Sequence, residues 1–262
     1  MKPRYKLLAL DLDGTTIGRN LIVSDENKNA VEEVIKQGVR VSVITGKMFA
    51  AALPIAKALG GVQYLFASNG ANVFNIETNE HLIEYALDPA SLRTSMQICE
   101  ECGVQYRVYT RDAMYAPRES ELVEEIRRDY PALPVHIGEL PDTLTYVKMY
   151  ARGTETNWMN PFEQVKQLHL QVHMGEDYSF EVTNSKANKG EALRYLRTTL
   201  GIHRQEVISM GNHDNDLPMF AESGFSVAVA DAPAFVREKA NFITKSCGDN
   251  GVSFALRQIF SL

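Results

Sequence analysis

Short apolar runs alternate with amphipathic stretches over the first third of the chain. Residues 5–11 are an apolar run that ends on an acid, the pattern of a buried strand. Ser24 is placed to cap a helix with Ala30, Val31, Val34 and Ile35 on one face, and Gly38 stops it. Residues 39–44 read as a second strand and 64–67 as a third. Between them, residues 48–59 read as a helix that tolerates Pro54 and ends at Gly60-Gly61. A β-α-β-α-β order predicts right-handed crossovers and a parallel sheet.

Beyond Asn69-Gly70 the rhythm changes. Residues 71–74 and 81–85 flank Thr78-Asn79 and predict a hairpin. Helices are expected at 89–102 and 119–130, strands at 104–109 and 143–151, and Asn160-Pro161 opens another helix. Residues 170–174 and 179–183 predict a strand pair across Gly175-Glu176-Asp177. From Lys189 the alternation resumes, with helices at 191–200, 217–223, 233–239 and 252–260 and strands at 206–210, 226–230 and 242–244. The expected fold class is α/β. A doubly wound, Rossmann-like parallel sheet is built from residues 1–84 and 185–262, and an α+β domain is inserted at 85–184.

Composition narrows the function classes. The 262 residues are 45% hydrophobic, which supplies a sizeable core. The net charge is -6 and Lys and Arg form no basic stripe, so nucleic acid is not an expected partner. No apolar run is long enough to span a bilayer. The basic start is followed by only Leu7-Leu8-Ala9-Leu10 before Asp11, too short for a secretory leader, so a cytoplasmic protein is expected. Cys99 and Cys102 form a C-x-x-C on a helical stretch, but no second pair exists and Cys247 stands alone. Packing is the expected role of the pair, because a zinc site needs about four ligands.

Open α/β sheets bind ligands beyond the carboxyl ends of their strands. The first three predicted strands are followed by Asp11-Leu12-Asp13-Gly14-Thr15, Thr45-Gly46-Lys47 and Ser68-Asn69-Gly70. The strand at 206–210 is followed by Gly211-Asn212-His213-Asp214-Asn215-Asp216, and Lys189 opens the helix before it. Singly, each cluster reads as a polar turn or a helix start. Together, on one sheet edge, they read as a site for phosphoryl transfer. Asp11 can attack phosphorus, while Asp13 donates a proton to the leaving alcohol and later takes one from water. A carboxylate approaching a phosphate is repelled, so a divalent cation is needed, and Mg²⁺ suits oxygen ligands. The Thr45 hydroxyl, the Lys189 ammonium and loop amides can bind the transferring oxygens.

These motifs resemble the haloacid dehalogenase superfamily, in its Cof-type branch with a cap inserted between the second and third motifs. Asp11-x-Asp13-Gly14-Thr15 matches the first motif, Thr45-Gly46 the second, Lys189 the third and Gly211-x-x-x-Asn215-Asp216 the fourth. The resemblance implies Asp11 as nucleophile and Asp13 as general acid/base. It implies Leu12 (by its amide), Thr45, Gly46, Lys189 and Asn215 at the phosphate. Mg²⁺ would be held by Asp11, by the Asp13 carbonyl and by the fourth motif through Asn212 or Asp216, with Asp214 as an alternative. Asn69 and Lys47 are candidates for substrate contact. Asn212 stands where the family usually has Asp, and Lys47 where it often has Arg. The implied activity is hydrolysis of phosphate monoesters of small metabolites, sugar phosphates among them, by a monomer or small homo-oligomer. The rivals are a phosphotransferase such as a phosphohexomutase, and a non-catalytic binder of a phosphorylated ligand. A dehalogenase needs neither Asp13 nor magnesium. The cap is expected to set specificity, and its His136, His169, His173 and Tyr178 read as packing or surface residues.

Overall fold

The computed structural model describes residues 4–175 and 177–262, so Glu176 of the expected turn and the first three residues lie outside it. The chain forms two compact units. One comprises Met1–Lys47, Ala52–Leu82 and Asn188–Leu262; the other comprises Met48–Ala51 and Ile83–Ala187.

The first unit opens with β1 (Leu7–Leu10), α1 (Asp25–Lys36), β2 (Arg40–Ile44), α2 (Phe49–Leu59), β3 (Tyr64–Ala67), β4 (Asn72–Asn75) and β5 (Glu80–Glu84). All four residues of β1 are buried, because the strand lies between two parallel neighbours and is covered on both faces. Helix α1 starts where Ser24 accepts the amide of Asn27 at 3.2 Å, and it buries Ala30, Val31 and Val34. Pro54 is accommodated inside α2 on an exposed position. Strands β4 and β5 form the hairpin at the sheet edge, and β4 runs antiparallel to β3.

The second unit follows with α3 (Pro89–Glu101), β6 (Gln105–Tyr109), β7 (Met114–Ala116), α4 (Glu121–Asp129), β8 (Val135–Ile137), β9 (Lys148–Arg152), α5 (Met159–Val165), β10 (Gln171–Met174) and β11 (Ser179–Thr183). Its six-stranded sheet has the order β10-β11-β9-β6-β7-β8. The residues of one face, Tyr106, Val108, Met149, Ala151, Phe180 and Val182, form a core with Leu92 and Cys99 of α3 and Phe162 and Val165 of α5. The strand expected from residue 143 starts only at Lys148. The residues before it make a turn, with the Leu144 amide on the Pro141 carbonyl, and scattered bonds to other segments in place of a ladder. Strands β7 and β8 were not expected at all; three residues each is too short for periodicity to reveal.

The chain then returns to the first unit with α6 (Lys189–Thr199), β12 (Val207–Gly211), α7 (Leu217–Ala221), β13 (Phe225–Ala228), α8 (Ala234–Arg237), β14 (Phe242–Ile243) and α9 (Gly251–Phe260). The eight-stranded sheet has the order β14-β13-β12-β1-β2-β3-β4-β5 and is parallel from β14 through β3. The chain thus folds as α/β, with a doubly wound core and an inserted α+β cap. Strand β1 is central, and the sheet order reverses direction there: β2 and β3 extend to one side, β12 and β13 to the other.

Candidate active site

The strand ladder continues one residue past β1, with the Asp11 amide on the Met210 carbonyl at 3.0 Å. The chain then turns sharply. The amides of Thr15, Thr16 and Ile17 all reach the Leu12 carbonyl, and the Thr16 hydroxyl donates to the Asp11 carbonyl at 2.5 Å. Gly14 has φ +72°, and a β-carbon there would lie 2.3 Å from Asn212 Nδ2. Only glycine lets the Asn212 amide lie against this turn, where Asn212 Oδ1 accepts from the Thr15 hydroxyl at 3.3 Å.

This geometry buries the Asp11 carboxylate, whose side chain is 5% exposed. Its Oδ1 accepts from Lys189 Nζ at 2.7 Å, and the same ammonium donates to Asp216 Oδ1 at 2.7 Å. Lys189 is aimed by the start of α6, where the Asn188 side chain accepts the amides of Gly190 and Glu191. The other Asp216 oxygen accepts the amides of Asn212 at 2.8 Å and His213 at 3.0 Å. Gly211 permits this back-folding, because a β-carbon there would lie 2.4 Å from Asp216 Cγ. Burial pushes the Asp11 carboxyl above the ordinary carboxylate range; Lys189 opposes that shift, and Asp216 and Asp13 add to it. Burial works against the Lys189 ammonium, but Asp11 and Asp216 outweigh it and hold its pKa above the usual lysine value.

The remaining loops are stitched together. Thr45 takes the Phe66 carbonyl through its amide, and its own carbonyl takes the Asn69 amide, both at 2.8 Å. Ser68 and Asn69 both adopt left-handed backbone angles, and Asn215 Nδ2 donates to Asn69 Oδ1 at 3.0 Å. Lys47 Nζ pairs with Asp13 Oδ1 at 2.9 Å. Asp11, Asp13, Lys47, Lys189, Asn212 and Asp216 are therefore linked through these bonds and the turn at Gly14. Thr45 and Gly46 follow β2 and Asn69 follows β3, while Asn215 lies with Asn212 and Asp216 on the loop after β12 and reaches across to Asn69.

Three partners went unassigned in the sequence. His213 Nδ1 lies 2.5 Å from Asp214 Oδ1, a bond that raises the imidazole pKa against the effect of burial. The Lys47–Asp13 pair joins two loops far apart in the chain. Burial pushes the Cys247 thiol up to about 11, with the charges of Asp231, Asp11 and Asp13 adding to it, so the cysteine that stands alone in sequence feels the charge of the first loop. Only the Asp-x-Asp spacing hinted at a shared electrostatic environment.

Among the described residues, no three or more His, Cys, Asp and Glu side chains converge to cage a metal ion. The oxygen donors at hand are of mixed kind: the Asp11 carboxylate, main-chain carbonyls of the turn and the Asn212 amide oxygen. Both oxygens of Asp216 are already engaged by Lys189 and by loop amides. In the cap, Cys99 is fully buried and burial pushes its thiol up to about 12.

The sequence profile of the haloacid dehalogenase-like hydrolases matches residues 8–256. The chain belongs to this family. A Bacillus subtilis (strain 168) relative named as a phosphatase, YxeH, is 28% identical over 97% of this chain and 98% of its own. The 5-amino-6-(5-phospho-D-ribitylamino)uracil phosphatase YcsE of the same organism is 27% identical over 96% of this chain and 94% of its own. The crystal structure of a haloacid dehalogenase-like hydrolase from Bacteroides thetaiotaomicron superposes with a TM-score of 0.85, at 24% identity, over 98% of this chain and 100% of that one. The haloacid dehalogenase-like chain is of the Cof-type branch and is a phosphatase. No helix among its described residues is long and apolar enough to cross a membrane.

Proposed function

We propose that the protein hydrolyses phosphate monoesters of small metabolites, sugar and polyol phosphates in particular, through an aspartyl-phosphate on Asp11. The observation that carries this reading is the buried Asp11 carboxylate at the end of the central strand, held on one oxygen by Lys189. A fixed, desolvated carboxylate beside a cation is arranged for in-line attack on phosphorus. The phosphorylated ribityl group in the name of the YcsE relative supports the substrate class.

In the first step an Asp11 oxygen bonds to phosphorus, the ester P–O bond breaks, and Asp13 gives its proton to the departing alkoxide. In the second, water attacks the same phosphorus and passes a proton to Asp13, and the Asp11–phosphorus bond breaks to release phosphate. Lys189, the Thr45 hydroxyl, the Asn215 amide and the Leu12 and Gly46 amides bind the phosphoryl oxygens. Asn69 orients Asn215 and borders the substrate.

Phosphotransferases of this superfamily generally use a divalent metal. The donor set fits Mg²⁺, which needs only one or two carboxylates and completes its shell with water and phosphate oxygens. Asp11, the Asp13 carbonyl and Asn212 would hold it, while Asp216, with both oxygens engaged, steadies Lys189 and the fourth-motif loop. Bound there, Mg²⁺ offsets the charge of Asp11 and of the phosphate. The cap, which we take as about residues 85–184, would discriminate among leaving groups.

A panel of phosphorylated sugars and polyols, assayed for inorganic phosphate with Mg²⁺ and with EDTA, tests the proposal. Metal-dependent release without any acceptor is expected. Release only in the presence of a sugar acceptor would make the enzyme a phosphotransferase, and binding without turnover would leave a phosphate-ester receptor.

A further inference from the structure

Asp13 differs from Asp11 in one physical respect. The Asp11 side chain is 5% exposed, whereas that of Asp13 is 52% exposed and lies on a turn. A half-exposed aspartate has several rotamers open to it. The Lys47 ammonium restricts them: it lies 2.9 Å from Asp13 Oδ1, and its own side chain is only 9% exposed.

The Lys47 backbone is tied at both ends. Its amide donates to the Thr45 hydroxyl at 3.1 Å, and its carbonyl accepts the Ser68 amide at 2.8 Å. The loop after β2 is thereby anchored to the loop after β3. A nearly buried ammonium on a tethered backbone is a fixed point charge, because removing it from a carboxylate partner costs desolvation energy with no return. It therefore acts on the more exposed Asp13 as an anchor rather than as a mobile surface lysine. Lysine supplies the charge without a planar fork, so it holds one carboxylate oxygen and leaves the other to the reaction.

We propose that Lys47 is the positioning residue for Asp13, setting the carboxyl in line with the leaving oxygen of the ester, in addition to any contact it makes with substrate. The inference rests on the proposed role of Asp13 in the hydrolysis. If it holds, losing Lys47 harms the step that protonates the leaving group more than it harms phosphate binding.

The test compares kcat/KM for two esters, since this parameter reports the steps through phosphoryl transfer to Asp11. One is p-nitrophenyl phosphate, whose leaving group departs without a proton. The other is the alkyl monoester hydrolysed fastest in the panel above. In Lys47→Met, kcat/KM for the alkyl ester is expected to fall about 30-fold more than for p-nitrophenyl phosphate, less than the roughly 10²–10⁴-fold that general acid catalysis contributes as a whole, because Asp13 is displaced rather than removed. Lys47→Arg keeps the charge but presents a planar fork to both Asp13 oxygens, so it should restore the ratio only in part, to between the Lys47→Met and wild-type values. In an Asp13→Asn background, adding Lys47→Met should leave the ratio where Asp13→Asn alone puts it. Thermal unfolding of each variant identifies a misfolded one, in which case Lys47→Gln takes the place of Lys47→Met. Equal losses for both esters would overturn the proposal and make Lys47 a phosphate-binding cation. A further change of ratio in the Asp13→Asn background would overturn it too. Failure of the underlying reading has a different signature: wild-type protein that releases phosphate from neither ester, or an Asp11→Asn variant that keeps its activity.

Discussion

Both units of this protein bury cations, and they do it differently. In the core, Lys189 lies between two carboxylates, Asp11 and Asp216, at 2.7 Å each. In the cap, Arg107 is 9% exposed on the sheet face opposite the core of Tyr106, Val108 and Phe180, beside a second apolar cluster that includes Tyr109 and Val123. Arg107 Nη1 donates to the Leu122 carbonyl, and the guanidinium lies 4.5 Å from the centre of the Tyr150 ring and 5.8 Å from that of Tyr109. Nearby on that face, Lys148 pairs with Glu181. The core triad carries one more negative than positive charge in a desolvated place, and a second cation or a proton is the natural way to offset it. The Arg107 site uses a carbonyl dipole and ring faces, which stabilise a cation without creating a reactive carboxylate. The difference teaches that burial of charge alone does not mark chemistry. An unbalanced cluster at a strand end does.

The largest expected effect comes from taking the carboxylate out of the core cluster. Asp11→Asn is nearly isosteric and should lower turnover at least about 10⁴-fold while the circular dichroism spectrum is unchanged. Mass spectrometry after beryllofluoride or substrate trapping should find the adduct on Asp11 in the wild type; an adduct on Asp13 or Asp216 would reassign the nucleophile.

Removing the cation from each unit sharpens the contrast in stability. Lys189→Met leaves two buried carboxylates facing one another and should cost about 3–5 kcal/mol by denaturant unfolding, with activity lost. Arg107→Met gives up a hydrogen bond and ring contacts and should cost about 1–2 kcal/mol. Equal costs would mean that the core cluster is no more strained than the cap site.

Asn212→Asp adds a negative charge to the cluster at nearly constant size. It should lower the Mg²⁺ concentration for half-maximal activity roughly tenfold, since hard cations favour charged oxygen ligands. A titration with the same requirement in both proteins would remove Asn212 from the metal shell and return the position to Asp216 or Asp214.

The smallest effect concerns an ion triad away from the cluster, Glu222 with Arg194 and Arg197. Hydrogen bonds from Arg194 and Arg197 outweigh the cost of burial and hold the Glu222 carboxyl below its ordinary range. A depressed folded pKa contributes stability above the unfolded value of about 4.3, and that contribution is lost as the pH falls through the lower, folded value. Glu222→Gln should therefore flatten the acid limb of the stability curve below about pH 4, by less than about 1 kcal/mol. It should leave activity near neutral pH unaltered. A steeper acid limb in the variant would contradict the assignment.

The sequence by itself determined the α/β class, the parallel strands, and the elements flanking each polar cluster. Strands buried on both faces need continuous apolar runs, and helices need capped, amphipathic ones; both patterns are local. It also placed Asp11, Thr45, Asn69 and the Gly211–Asp216 run at strand ends, because each follows an apolar run directly. What stayed hidden was of two kinds. Strands β7 and β8 have three residues each, and the start of β9 is decided by which carbonyls its neighbours offer. The pairings Lys189 to Asp11, Lys47 to Asp13 and Asn215 to Asn69 span 178, 34 and 146 positions, so no local pattern encodes them. Only the closing of the sheet, with β12 and β2 on either side of β1, brought those side chains within hydrogen-bonding distance. Tertiary structure alone also decided the electrostatics: the pKa of Asp11 depends on how much water the fold removes and on where it sets the ammonium of Lys189.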